Sequence, residues 1–312
     1  LNIQKFLVRD EQRDTLLFVS DLSLGISSLD IKRNAYHASS LRLDSGYFNL
    51  YRIEESEAMN LDFITQLFSS SDTSSQAVNF KVYADLVEIN HLRFRYEDYK
   101  VDLQAQNQID FSHLYVSDLT GVVEDVFLDG PNIKASVLHL AIREKSGFEL
   151  SHLSGETYVS DTAIICSNIS LDAGKTHLKG FYSMHSESWK SYANFLDEVV
   201  MDASLDTSVV DFHDVAFFSK NIDDMLTPLK FVGTAKGTVS NLKANIDYLT
   251  FGNSGSLVGD VKIKGLPDIG STFFDADFKQ LYASISDIDL LKIPNGTSVE
   301  PLVLPEQVRT LG

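Results

Sequence analysis

The sequence predicts a mostly-β chain made of many predominantly antiparallel strands. Two observations carry that prediction. Apolar and polar residues alternate with a period of two over most of the chain, and helical spacing is confined to a few short places. Successive strand side chains point to opposite faces, so each alternating segment has one greasy and one wet side. A buried parallel sheet would instead show continuous Val/Ile/Leu runs.

Taken in order, the first residues already alternate in strand fashion. Glu54 to Ser70 carries Leu61, Ile64, Leu67 and Phe68 at helix spacing, and the polar run Ser69 to Ser75 reads as a loop. Leu92, Phe94 and Tyr96 alternate with Arg93, Arg95 and Glu97. Val159, Ala163, Ile165, Ile169 and Leu171 share one parity, against Thr162, Asn168 and Ser170. Ser186 to Met201 sets Trp189, Tyr192, Phe195, Leu196 and Val199 on one stripe, predicting a helix, and Asp223 to Leu229 suits a single turn before Pro228 stops it. Leu257, Val261 and Ile263 alternate with Lys262 and Lys264, and Phe274, Ala276 and Phe278 with Asp275, Asp277 and Lys279. Phrases around His91, His113, His152 and His213 echo one another at irregular spacing, which suits one strand type used repeatedly. The expected organisation is an opening β segment over 1–76, a continuous β segment over 77–292, and a linker or next module over 293–312.

Charge narrows the partners. With 26 basic and 44 acidic residues the chain carries −18, which disfavours nucleic acid and anionic lipid head groups. The 44 % of apolar residues argue against disorder. The single cysteine, Cys166, leaves no internal disulfide, and no run approaches the roughly 20 apolar residues of a membrane helix. The opening Leu1-Asn2-Ile3 has no signal-peptide features and reads as the start of a piece from a longer chain.

Catalytic and metal signatures are weak. The eight histidines lack ligand spacing, with no His-Glu-x-x-His and no Cys-x-x-Cys. Gly174-Lys175-Thr176 resembles the end of a phosphate loop, but Ile169 stands where the loop needs glycine. Ser254, in Gly252-Asn253-Ser254-Gly255-Ser256, misses the nucleophile elbow by one register and suits a hairpin turn. Asp275/Asp277 and Asp287/Asp289 each place two carboxylates on one strand face, without the loop that a calcium site requires. The sequence therefore predicts no catalytic residue, no metal and no cofactor.

Several phrases, taken together, resemble a known family. They are Glu144-Lys145-Ser146-Gly147-Phe148-Glu149-Leu150, Ile169 to Gly180, Val210-Asp211-Phe212-His213-Asp214, Gly233 to Leu242, and Ile263-Lys264-Gly265-Leu266-Pro267-Asp268-Ile269. Their order and spacing are similar to the central part of Bacteroidetes-type TamB, the translocation and assembly module family with a DUF490 domain, in the wider AsmA-like group. The likeness covers about Phe80 to Gly312, and Leu22-Ser23-Leu24, Leu41-Arg42-Leu43 and Tyr47-Phe48-Asn49-Leu50 suit the same architecture. Of these phrases, Glu144, Ser146, Gly147, Phe148, Gly265, Leu266, Pro267 and Asp268 stand out as family-like and structural.

The resemblance implies a strongly curved, continuous sheet forming an elongated apolar groove, with one or two short helices. It implies a periplasmic protein tethered to the inner membrane by an anchor outside this chain, and docked on an outer-membrane TamA-like or BamA-like barrel. The implied role is outer-membrane biogenesis, by protein translocation or by phospholipid transport. Its guest would be phospholipid acyl chains or an unfolded outer-membrane client. Groove-lining candidates are Val159, Ile165, Leu171, Leu257, Val261, Ile263, Phe274 and Phe278, whose apolar area costs about 25 cal/mol per Å² if left in water. The alternative is an extracellular β-sandwich adhesion or glycan-binding protein presenting Tyr47, Tyr51, Tyr96, Tyr115 or Trp189. A β-helical hydrolase is a third reading that no carboxylate constellation favours.

Overall fold

In the computed structural model, residues 1–52, 58–62, 80–103, 108–218, 228–266, 271–289, 292–295 and 298–301 are described. Most of the helix expected over Glu54–Ser70, most of the turn over Asp223–Leu229, Pro267, Asp268 and the tail from residue 302 lie outside them. The protein is mostly β, and strand order in its open sheet follows chain order, β1 to β14. Two compact units divide the chain at Val159 and Ser160.

The first unit holds β1 (Asn2–Arg9), β2 (Thr15–Asp30), β3 (Ala35–Arg52), β4 (Lys81–Asp98), β5 (Tyr115–Asp129), β6 (Asn132–Glu144) and β7 (Glu149–Val159). Neighbours pair antiparallel except β3 and β4, which run parallel from Ala35↔Lys81 to Arg52↔Asp98. Period-two text does not distinguish the two senses when one face stays polar, so this pair is a departure that alternation could not show.

The second unit holds β8 (Ala163–Ala173), β9 (Thr176–His185), β10 (Val200–Val210), β11 (Leu229–Thr238), β12 (Asn241–Phe251), β13 (Gly255–Lys264) and β14 (Phe273–Tyr282), all paired antiparallel in that order. A separate hairpin joins β15 (Lys292–Asn295) to β16 (Ser298–Pro301). The helix expected over Ser186–Met201 is shorter than its stripe. It is a 3-10 turn, Trp189–Asn194, followed by one α turn, Phe195–Glu198, before β10 begins at Val200. Of the echoing phrases only those at His91 and His152 lie in strands; Asp110–Ser112 is a turn and Phe212–Val215 a helical turn.

Bulges recur in both units and fall in line across the second. In the second they occur between Cys166 and Ile169, Leu205 and Ser208, Val232 and Gly233, Ile246 and Leu249, and Val258 and Gly259. A bulge bends its strand and sharpens the local twist, so aligned bulges crease the sheet. Gly180 sits on that crease at φ +140°, where an added Cβ would stand 2.0 Å from the Ser204 carbonyl oxygen. In the first unit Lys5, Ser45 and His91 take φ values of +57°, +52° and +52° in successive or neighbouring strands.

Candidate functional site

Register turns the alternation into columns of side chains that run across the strands on one face. In the first unit one column is Ile3, Leu22, Leu43, Ile89, Gly121, Leu140 and Leu153. Beside it run Phe6, Val19, Gly46, Leu92, Leu119, Ile142 and Leu150. In the second unit a column reads Ile164, Met184, Met201, Gly237, Leu242, Ile263 and Phe274, and the next Cys166, Tyr182, Ala203, Ala235, Ala244, Val261 and Ala276. A third follows the crease through Ile169, Gly180, Leu205, Gly233, Ile246, Gly259 and Phe278.

Most of these side chains are half-buried, and the fully buried apolar residues are few, led by Leu16, Val19 and Val199. On β14 the same face is open, with Phe274 57 % and Phe278 44 % exposed. Where the crease removes side chains, Leu205, Phe231, Gly233, Ile246 and Leu249 line a depression of ≈ 90 Å³. Burial pushes the Cys166 thiol up, and it does the same to the Tyr182 phenol, with Tyr192 of the helical connection adding to the shift.

The opposite face is charged. Asp202, Lys236, Lys243, Lys262 and Asp275 form one of its columns, in which Lys236 pairs with Asp202 at 2.6 Å and Lys262 with Asp275 at 3.2 Å. Asp260, which accepts from Asn245 and pairs with Lys279, has its carboxyl held below the usual range by those contacts, the Asn245 bond first.

The structure brings Leu257, Val261, Ile263, Phe274 and Phe278 together on the apolar face of the second unit, with Leu171 opposite Leu178 on the same face. Val159 closes a column of the first unit with Leu29, Tyr36, Val82, Leu128 and Ile133. Ile165 departs from its expected parity. It opposes Ser183, which opposes Asp202, so it belongs to the charged face. The cause is the bulge at Asn168, whose φ of +53° shifts the apolar parity of β8 from Ile164 and Cys166 to Ile169 and Leu171. Met184, Met201, Tyr182, Leu205 and Ile246 line the face without having been singled out, because the Ala and Gly between them dilute the alternation.

Several buried acids, the usual mark of a catalytic centre, are spent on turns, as is half-buried Asp214. The Asp214 carboxylate accepts the Lys175 and Thr176 amides at 2.9 and 2.8 Å, so the anion nest after Gly174 is filled by the chain's own side chain. Asp287 lies in the helical turn Ile285–Asp289 rather than on a strand face, and accepts from the Asn253 and Ser254 amides and from the Ser254 and Ser284 hydroxyls. Asp10 accepts from Tyr51 Oη at 2.7 Å, and burial followed by that bond raises the phenol's pKa. Glu144 Oε2 accepts the Ser146 amide at 2.6 Å while Gly147, at φ +98°, completes the turn to Phe148. Gly265 ends β13 at φ +103°, followed by half-buried Leu266. These phrases build turns.

The tyrosines do not form one platform. Tyr51 is buried, and Tyr96 lies on the apolar face beside Phe94. Tyr47 and Tyr115 flank a ≈ 230 Å³ hollow with Asn49, Arg93 and Arg95 on the charged face. Trp189 packs against Tyr192 in the helical connection, the rings tilted by 33°. Among the described residues no group of three or more His, Cys, Asp or Glu is placed to hold a metal, and no helix is long and apolar enough to cross a membrane. Comparison with family models, curated proteins and solved structures finds no match for this chain.

Proposed function

We propose that the apolar face carries hydrocarbon, and that the chain is a periplasmic segment of a TamB-like, AsmA-like protein acting in outer-membrane biogenesis. The observation that supports this reading is the set of apolar columns, most of whose side chains stay half-covered, within each unit. A dry sandwich core would bury such columns, and contiguous exposed apolar area marks a binding surface. An acyl chain lying along the columns gains about 0.8 kcal/mol for each CH₂ removed from water. Sliding to the next column exchanges like for like, so neither cofactor nor energy-yielding step is needed in this segment. Phospholipid acyl chains are the preferred guest, and the apolar stretches of an unfolded outer-membrane client are the other. Docking on an outer-membrane barrel and tethering to the inner membrane would fall to parts of the longer protein.

The test compares two faces of one sheet. Val261→Asp puts an unpaired carboxylate among Ala244 and Ala276, while Ile165→Asp puts one beside Ser183 on the charged face. Organic extraction and mass spectrometry of the purified chain should find acyl lipid lost from V261D and kept in I165D. Lipid retained equally by both variants, with unchanged β circular dichroism, would overturn the proposal.

A further inference from the structure

Five of the eight histidines sit against carboxylates: His37 on Asp85, His91 on Asp118, His113 on Asp110, His177 on Asp172 and His213 on Asp211. His139 and His152 face each other instead. Their Nδ1 atoms are 2.9 Å apart, and the rings stack at 5.2 Å between centroids with a 26° tilt. The sheet sets this up. Leu140 pairs with Leu153 on the apolar face of β6 and β7, which puts His139 and His152 on the other face. His139 follows Arg42, Glu88 and Val122 along a charged-face column. The bulge between Val137 and Leu140 brings the imidazoles within reach of each other.

We infer that His139 and His152 form a two-nitrogen site for a divalent transition-metal ion of tetragonal preference, Cu²⁺ foremost. Two nitrogens held ~2.05 Å from one ion at a right angle lie ~2.9 Å apart, which is the spacing found here. A tetrahedral ion would need ~3.3 Å for the same bond length, so Zn²⁺ fits less well. His152 Nε2 lies 3.1 Å from Ser154 Oγ. Donation to that hydroxyl fixes the tautomer with Nδ1 bare, the orienting contact that ligating histidines usually have. His139 Nδ1 then carries the proton between the rings. On binding, that proton moves to Nε2 of the same ring and the metal takes both Nδ1 lone pairs, so no net proton is released. Water fills the remaining positions, because no third protein ligand stands by among the described residues. The acidic surface of a chain at −18 raises local cation concentration.

The experiment titrates the 312-residue chain with CuCl₂ in a non-coordinating buffer, followed by calorimetry and electron paramagnetic resonance. One Cu²⁺ per chain should bind with a spectrum showing two equatorial nitrogens. H139Q and H152Q should each weaken it at least tenfold, and S154A by about tenfold through loss of the tautomer lock. Affinity should fall from Cu²⁺ to Ni²⁺ to Zn²⁺. CuCl₂ should raise the melting temperature of the wild type and leave H139Q/H152Q unmoved, with both matching in circular dichroism without metal. Equal uptake by the double variant would place the ion at the His–Asp pairs or Cys166 and overturn the inference. So would wild-type binding no tighter than that of the double variant.

Discussion

Asp287 shows how one buried carboxylate fixes a distant turn. It collects five donors from Asn253, Ser254 and Ser284, and Gly252 at φ +61° has no room for a Cβ because Asp287 Oδ1 would lie 2.6 Å away. These bonds, the Ser254 hydroxyl first, hold its carboxyl far below the ordinary carboxylate range. A depressed folded pKa gives stability that is complete above the unfolded value of about 4 and is lost as pH falls through the folded one. Asp287→Asn should therefore lower the melting temperature fully at pH 7, and the gap to wild type should shrink steadily below pH 4. Thermal unfolding followed by circular dichroism at pH 7, 4 and 3 checks this; a gap that stays constant would show that the charge is not what matters. The fate of Ile165 belongs to the same scale. Leu257, Val261 and Ile263 were legible from spacing alone, because β13 keeps one apolar parity from Leu257 to Ile263. Ile165 was not, because a left-handed Asn168 leaves no trace in a count of apolar positions. Nor was the His139–His152 contact, which depends on a bulge between strands rather than on spacing along one.

At the scale of the element, the crease is the feature that ordinary strand propensity does not supply. Gly180, Gly233 and Gly259 share one column, and at each an added Cβ would stand within 2.4 Å of a neighbouring strand's carbonyl oxygen. Close backbone approach is why glycine occupies a strand interior here. Gly180→Ala combines a φ of +140° with a contact at 2.0 Å, and should cost about 2–4 kcal/mol. Urea unfolding of the chain measures it, and a loss under about 0.5 kcal/mol would mean that the crease relaxes freely. The strand text announced sheet clearly. It did not announce the parallel β3–β4 pair, since Leu41, Leu43 and Phe48 alternate the same way whichever direction their partner runs. The stripe from Trp189 to Val199 overstated its helix because Val199, with 0 % of its surface exposed, belongs to the packing before β10.

At the largest scale, each unit has two faces of opposite character, one charged and one apolar, and the proposed function assigns the guest to the apolar one. If capture is by apolar contact, salt should matter little, because screening acts on charges and not on buried area. Binding of a fluorescent fatty acid should change less than about twofold between 0.05 and 0.5 M NaCl. A steep fall with salt would point to headgroup recognition by residues such as Arg93 and Arg95 instead. The mostly-β class, the two-faced strands and the shared apolar face of six candidates in the second unit were readable from residues. The half-covered state of the apolar face was not, because alternation is identical whether a face meets a second sheet or a guest.

Strand order that follows chain order also bears on synthesis. Within each unit a strand's partners are its immediate predecessors and successors, so loop-closure entropy stays small at almost every step. A chain emerging amino end first can lay each new strand on the last one made, without waiting for a distant segment. The pause falls between β3 and β4, where the parallel pairing requires the whole crossover to emerge before the next edge can be extended.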